Sequence, residues 1–146
     1  MKNLIWIILF VTAVNFSQTE NKKMNVAIFI YDNVELLDFA GPGEVFSNAQ
    51  LNDEDAFNVY TVAVDDKTIL SQGFVTVTPQ YTINNCPKPD IVVLPGGDAR
   101  ISAENEQLIQ WIKDCSKSAK VVMSVCTGAR LLSKAGLLDG KEATTW

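Results

Sequence analysis

The stretch Val121-Val122-Met123-Ser124-Val125-Cys126-Thr127-Gly128-Ala129-Arg130 constrains this chain more than any other. Residues 121–125 are mostly apolar and β-branched and read as a buried strand. Ala129, Leu131, Leu132 and Ala135 then recur at the spacing of one helical face. Cys126 stands at the switch between the two periods, with Ser124 two residues before it and Gly128 two after. A strand that turns sharply into a helix needs small residues at those places, because larger ones collide as the backbone folds back. The central residue is then held in a strained conformation that lifts its side chain clear. A helix beginning at Thr127 would aim the positive end of its dipole at the sulfur, which favours a thiolate. Two readings fit this window by itself: a nucleophile elbow, or a small buried cysteine ending a core strand.

The rest of the chain supplies the sheet that such a turn needs. Residues 25–31 (Asn-Val-Ala-Ile-Phe-Ile-Tyr) and 90–94 (Asp-Ile-Val-Val-Leu) are nearly continuous apolar runs. Such runs suit central strands of a parallel sheet, covered on both faces. Residues 57–64 alternate and predict a strand nearer the edge. Residues 68–70 and 74–78, with Gly73 between them, predict a β-ribbon. Helices are expected over 42–50, where Pro42 suits a first turn, over 105–115, and over 127–135. Residues 143–146 read as the start of a further strand. Strands alternating with helices make an α/β fold with a mostly parallel sheet.

Sites in such sheets gather at the carboxyl ends of the strands. Asp38 falls there, after the first strand and ahead of the expected helix. Pro95-Gly96-Gly97 follows the strand at 90–94, and Cys126 follows the strand at 121–125. The two glycines can form an oxyanion hole for chemistry at Cys126, or a flexible turn. Asp38 can face the site, or serve as a solvated or capping loop carboxylate. Glu44 falls in the first turn of the expected helix, where the dipole favours a carboxylate, and takes a structural role first.

Composition narrows the function. A net charge of −5 with no basic run argues against nucleic acid as a partner. The chain has no histidine, so a histidine-ligated zinc site and a Cys-His-Asp triad are both excluded within it. Neither a dinucleotide fingerprint nor a phosphate loop occurs, and no cofactor or metal is expected. Cys86, Cys115 and Cys126 allow one disulfide in an oxidising compartment, with Cys126 free if it is reactive. Lys2, an apolar run over 4–14 broken only by Thr12, and a polar stretch to Lys23 predict a signal peptide and short leader over 1–23. The chain is then exported, to the periplasm or the medium; the alternative is an uncleaved amino-terminal anchor. No other membrane segment is expected, and 24–146 forms a single domain.

Taken together, these motifs resemble the PfpI/ThiJ family. They are Leu36-Leu37-Asp38-Phe39-Ala40-Gly41-Pro42 with Glu44-Val45-Phe46, then Pro95-Gly96-Gly97, Cys126-Thr127-Gly128-Ala129, and Ala135-Gly136-Leu137-Leu138-Asp139-Gly140. The resemblance spans 24–146 and is strongest to the isonitrile hydratase-like branch. It implies a glutamine amidotransferase-like, flavodoxin-like three-layer sandwich with a nucleophile elbow. Such relatives continue Ala-Thr-Thr with His-Trp and several more strands and helices, whereas Trp146 follows Thr145 here. The resemblance therefore implies an incomplete domain with its carboxyl-terminal part missing, and a homodimer through the open edge as the route to covering it.

By the same resemblance Cys126 takes the place of the nucleophile, Asp38 of the facing acid, and Thr127 of the residue that follows the cysteine in the isonitrile-converting branch. Gly97 lies where the family contributes a backbone amide. Glu44 takes the place of a second acid, and Gly128 completes the elbow. The implied activity is cofactor-independent hydration of an isonitrile, a small-molecule substrate, to an N-substituted formamide. The alternatives are an inactive remnant, a small-molecule-binding domain of the same fold, or another cysteine-dependent hydrolase.

Overall fold

In a computed structural model, residues 22–145 are described; the expected signal peptide lies outside them except for Lys22 and Lys23. The chain begins with β1 (Met24–Phe29), whose residues from Val26 onward are buried. Helix α1 (Leu36–Asn48) follows. A tight hairpin joins β2 (Gln50–Leu51) to β3 (Glu54–Asp55), turning through Asn52 and Asp53, both at positive φ. Next come β4 (Phe57–Ala63), then β5 (Ile69–Ser71) and β6 (Val75–Val77), which pair antiparallel as the expected ribbon. Gln72 and Gly73 turn that ribbon with φ of 46° and 76°, and Phe74 N closes the turn on Ser71 O at 3.1 Å ahead of the Ser71–Val75 pair. After β7 (Tyr81–Thr82) and β8 (Ile91–Leu94) come α2 (Ala99–Ala103) and α3 (Glu106–Ser116). The chain closes with β9 (Val121–Ser124), a 3-10 turn at Cys126–Gly128, and α4 (Ala129–Lys134).

The main sheet is parallel throughout, in the order β7-β4-β1-β8-β9. Setting aside the two-residue β7, its strands run second, first, third, fourth, which is the flavodoxin-like order. The order reverses between β1 and β8, and a crevice opens at the carboxyl ends there. Both faces are covered. On one face α1 lies over β1, where Gly43 lets it come within ordinary contact of Ile28, and Phe46 meets Phe57 edge-on. On the other face Trp111 of α3 packs against Phe29, the next residue along β1. Alternate side chains of one strand thus feed two separate layers of core. Phe29, Ile30, Val34, Leu94, Leu108, Ile112 and Leu131 are fully excluded from water.

Four expectations need correction. First, α1 begins at Leu36 rather than at Pro42, so Asp38 lies in its first turn and Glu44 in its interior. The buried ring of Phe39 draws the preceding turn into the helix, and Pro42 is accommodated inside it. Second, β9 is an edge strand among the described residues: Val121 is 45% exposed although its run is as apolar as β8. Third, no strand forms over 143–145; Thr145 instead donates its hydroxyl to the Cys126 carbonyl at 2.6 Å. Fourth, the helix after Cys126 is short, with a 3-10 turn leading into α4. Among the described residues no helix is long and apolar enough to cross a membrane, and no cluster of acidic or cysteine side chains could hold a metal.

Candidate active site

Cys126 is built into a turn that few residues tolerate. The chain arrives extended at Val125 (φ −116°, ψ 137°), whose amide still bonds to Leu94 O at 3.0 Å. Cys126 then flips to φ 51°, in the left-handed region that costs a non-glycine residue about 1–2 kcal/mol. The chain turns into the 3-10 segment, closed by Gly128 N to Val125 O at 2.9 Å. A Cβ at Gly128 would lie 1.9 Å from Leu94 O. Gly128 is therefore demanded by space, not by its φ of −56°. This is the local geometry expected of a nucleophile elbow. The cysteine is half-buried.

Two successive peptide groups after β8 tie the other elements to this point. Gly96 N donates to Asp38 Oδ2 at 3.0 Å. Gly97 N donates to Thr127 Oγ1 at 3.0 Å, and the Thr127 hydroxyl donates back to Gly97 O at 3.0 Å. A Cβ at Gly96 would sit 2.8 Å from Asp38 Oδ2, from Thr127 N and from Thr127 Oγ1 alike. Carboxylate, hydroxyl and elbow amide therefore converge over one bare α-carbon. Gly97 has φ 117°, and a Cβ there would lie 2.3 Å from Asn33 O, so the turn presses on the link between β1 and α1.

The structure thus brings Asp38, Gly96, Gly97, Cys126, Thr127 and Gly128 to one edge of the sheet. Glu44 does not join them: it is exposed on α1, and its carbonyl and carboxylate both accept from the Asn48 amide group. The amides of Gly96 and Gly97 already have partners in Asp38 and Thr127. The Thr127 amide, directly after the cysteine, has no hydrogen-bond acceptor among the described residues and lies close against Gly96. An elbow presents that amide to a developing anion, a consequence of the turn that spacing arguments centred on glycine overlook.

Tyr31 also belongs to this edge. Its ring is 8% exposed and its hydroxyl donates to Pro95 O at 3.2 Å. Burial above all, then the charges of Asp38, Asp98 and Cys126, push its ionisation well above the ordinary tyrosine range. It stays a neutral donor. Tyr31 also lines a cavity of about 310 Å³ that opens among Ile30, Ala63, Ile69, Asp98 and Asn105. Neither Cys126 nor Asp38 lines it. We place the candidate site with Cys126, Asp38 and the glycine turn.

Residues 24–146 match the model of the DJ-1/PfpI family. The chain is 35% identical over 124 residues to isonitrile hydratase of Pseudomonas putida, covering 84% of this chain and 52% of that protein. It is 36% identical over 121 residues to a Streptomyces lividans protein from the region 5′ of cpoL, covering 82% and 85%. Among solved structures, a ThiJ/PfpI family protein from Pseudomonas syringae superposes with a TM-score of 0.71 at 26% identity, over 81% of this chain and 48% of that one. The chain spans about half the length of the isonitrile hydratase and of the Pseudomonas syringae protein. With a parallel sheet in the flavodoxin-like order and a cysteine at the elbow after β9, the chain belongs to the DJ-1/PfpI family.

Proposed function

We propose that this site hydrates an isonitrile to an N-substituted formamide, with Cys126 as the nucleophile. The observation that carries the reading is a left-handed Cys126 followed directly by Thr127, with Thr127 and Asp38 anchored on consecutive glycine peptides. The 35% identity to isonitrile hydratase supports the choice of substrate class. The Cys126 thiolate forms a carbon–sulfur bond to the terminal isonitrile carbon, and a protonated Asp38 delivers its proton to that carbon. The product of this step is a thioimidate. Water then adds to the same carbon, and the Asp38 carboxylate takes one of its protons. The remaining hydroxyl proton moves to nitrogen as the carbon–sulfur bond breaks and its electron pair returns to Cys126. The sum is one isonitrile and one water giving one formamide, with both residues restored and no cofactor consumed. The Thr127 amide is placed to steady developing negative charge.

Intact-protein mass spectrometry during turnover of an alkyl isonitrile tests the covalent step. The account expects an adduct of the isonitrile's mass on Cys126 after rapid acid quench, absent in Cys126→Ala. Product formation by Cys126→Ala at the wild-type rate would overturn it.

The same reading makes a small molecule the partner; export rests instead on the basic, apolar and polar segments of 1–23, and a leader-dependent shift to the periplasmic fraction tests it. The sheet edge at β9, where Val121 is 45% exposed, supports a homodimer through that edge, which sedimentation at two protein concentrations tests.

A further inference from the structure

We infer that Tyr31 is a positioning residue for Asp38, acting through the one peptide group that joins Pro95 to Gly96. The inference rests on the proton-donor role given to Asp38 above.

The Tyr31 hydroxyl donates to the carbonyl of that peptide at 3.2 Å, and the N–H of the same peptide, on Gly96, donates to Asp38 Oδ2 at 3.0 Å. Phenol, peptide and carboxylate therefore form a chain of hydrogen bonds running in one direction. A peptide group is planar and turns as a unit, so its two bonds fix a single orientation. A bond received at the carbonyl also polarises the amide and strengthens its N–H as a donor. The next peptide repeats the arrangement: Gly96 O accepts from Glu35 N at 2.9 Å, while Gly97 N reaches Thr127 Oγ1. Each peptide has one end on the scaffold and one end on a site side chain. Glu35 supplies the scaffold end of the second with its backbone, which no substitution but proline removes. Tyr31 supplies that of the first with a side chain, and it is the member of the pair that mutation can address. Its burial and its acidic neighbours keep the phenol protonated, so the bond to Pro95 persists.

The molecule carries its own control. Tyr60 is 2% exposed and likewise donates its hydroxyl to a proline carbonyl, that of Pro87. Pro87 precedes Lys88 in a connection remote from Cys126, and no site side chain hangs on it. Tyr31→Phe and Tyr60→Phe thus remove equivalent bonds, and only the first should reach Asp38.

The test compares both variants in the full chain by amide NMR and by isonitrile turnover. Tyr31→Phe is expected to shift the Gly96 amide nitrogen upfield and to speed its hydrogen exchange. It should lower kcat about tenfold with KM changed less than about twofold. In an Asp38→Asn background, Tyr31→Phe should cost nothing further. Tyr60→Phe should leave the Gly96 resonance and kcat where they are. Full replacement of tyrosine by fluorotyrosine, a stronger donor that keeps the packing, should move the Gly96 resonance the opposite way. An unmoved Gly96 amide in both Tyr31→Phe and the fluorotyrosine protein would overturn the inference. An equal tenfold loss in the Asp38→Asn background would also overturn it. If wild type turns over no isonitrile, the proposed reaction fails. The positioning role is then decided by whether Asp38→Asn still shifts the Gly96 amide when Tyr31 is phenylalanine: a smaller shift than in the Tyr31 protein supports it, an equal one sinks it.

Discussion

Cys126 holds a backbone conformation that the neighbouring hydrogen bonds enforce against its own preference. Glycine adopts φ near 51° without that cost, so Cys126→Gly should raise stability by about 1 kcal/mol while abolishing the adduct. Chemical denaturation measures the first effect and mass spectrometry the second; a destabilised glycine variant would show that the turn stores no strain. Gly96 makes a separate prediction. A methyl group there would sit 2.8 Å from Asp38 Oδ2, Thr127 N and Thr127 Oγ1. Gly96→Ala should therefore lower kcat/KM by about 100-fold by displacing those groups, with a far smaller change in melting temperature. Gly96, Gly97 and Cys126 follow apolar runs that end strands, so their place at the sheet edge is legible in the sequence; Asp38 lies beyond β1 in the first turn of α1, and only its order in the chain is legible. The part played by Tyr31 is not legible. Its bond to Pro95 and that of Gly96 to Asp38 join residues 64 and 58 positions apart, a closeness that only the paired strands create.

At the scale of elements, β1 and β8 are readable within one or two residues of their true bounds, since strands buried on both faces leave continuous apolar runs. β9 looks the same in sequence and yet lies at an edge among the described residues, because strand position depends on pairing partners and not on hydrophobicity. The two-residue strands β2, β3 and β7 carry no periodic signal at all; β7 exists through its register with Val62 and Ala63 of β4. Pro42 misleads in the other direction. It is a common first-turn residue, but here the packing of Phe39 outweighs it and the helix starts six residues earlier. Helix α3 follows local rules closely. Asn105 caps it, its side chain accepting from Leu108 N at 3.0 Å. Asn105→Ala should cost about 1 kcal/mol in equilibrium unfolding, and an unchanged midpoint would mean that α3 draws its start from packing alone.

For the whole molecule, the reversal of strand order between β1 and β8 makes the site a product of topology: it takes Asp38 from after the first strand, the glycine turn from after β8 and Cys126 from after β9. Stability of that assembly should fall in alkali. Burial pushes the Cys115 thiol from 9.0 up to about 12. A group whose folded value is raised contributes stability that is intact below its unfolded value and lost as pH climbs toward the folded one. Between pH 9 and 12 the unfolded chain sheds this proton first, and stability should drop by up to about 1.4 kcal/mol per pH unit from this residue. Cys115→Ala should flatten the slope over that window. The central claim, that Cys126 and Asp38 act together on an isonitrile, is most directly tested by the initial rate of formamide production from an alkyl isonitrile. Wild type, Cys126→Ser and Asp38→Asn are to be compared at equal protein concentration. The account predicts formamide from wild type, none above background from Cys126→Ser, and a rate lowered at least about 100-fold in Asp38→Asn. Wild-type rates from either variant, or no formamide from any of the three, would contradict it.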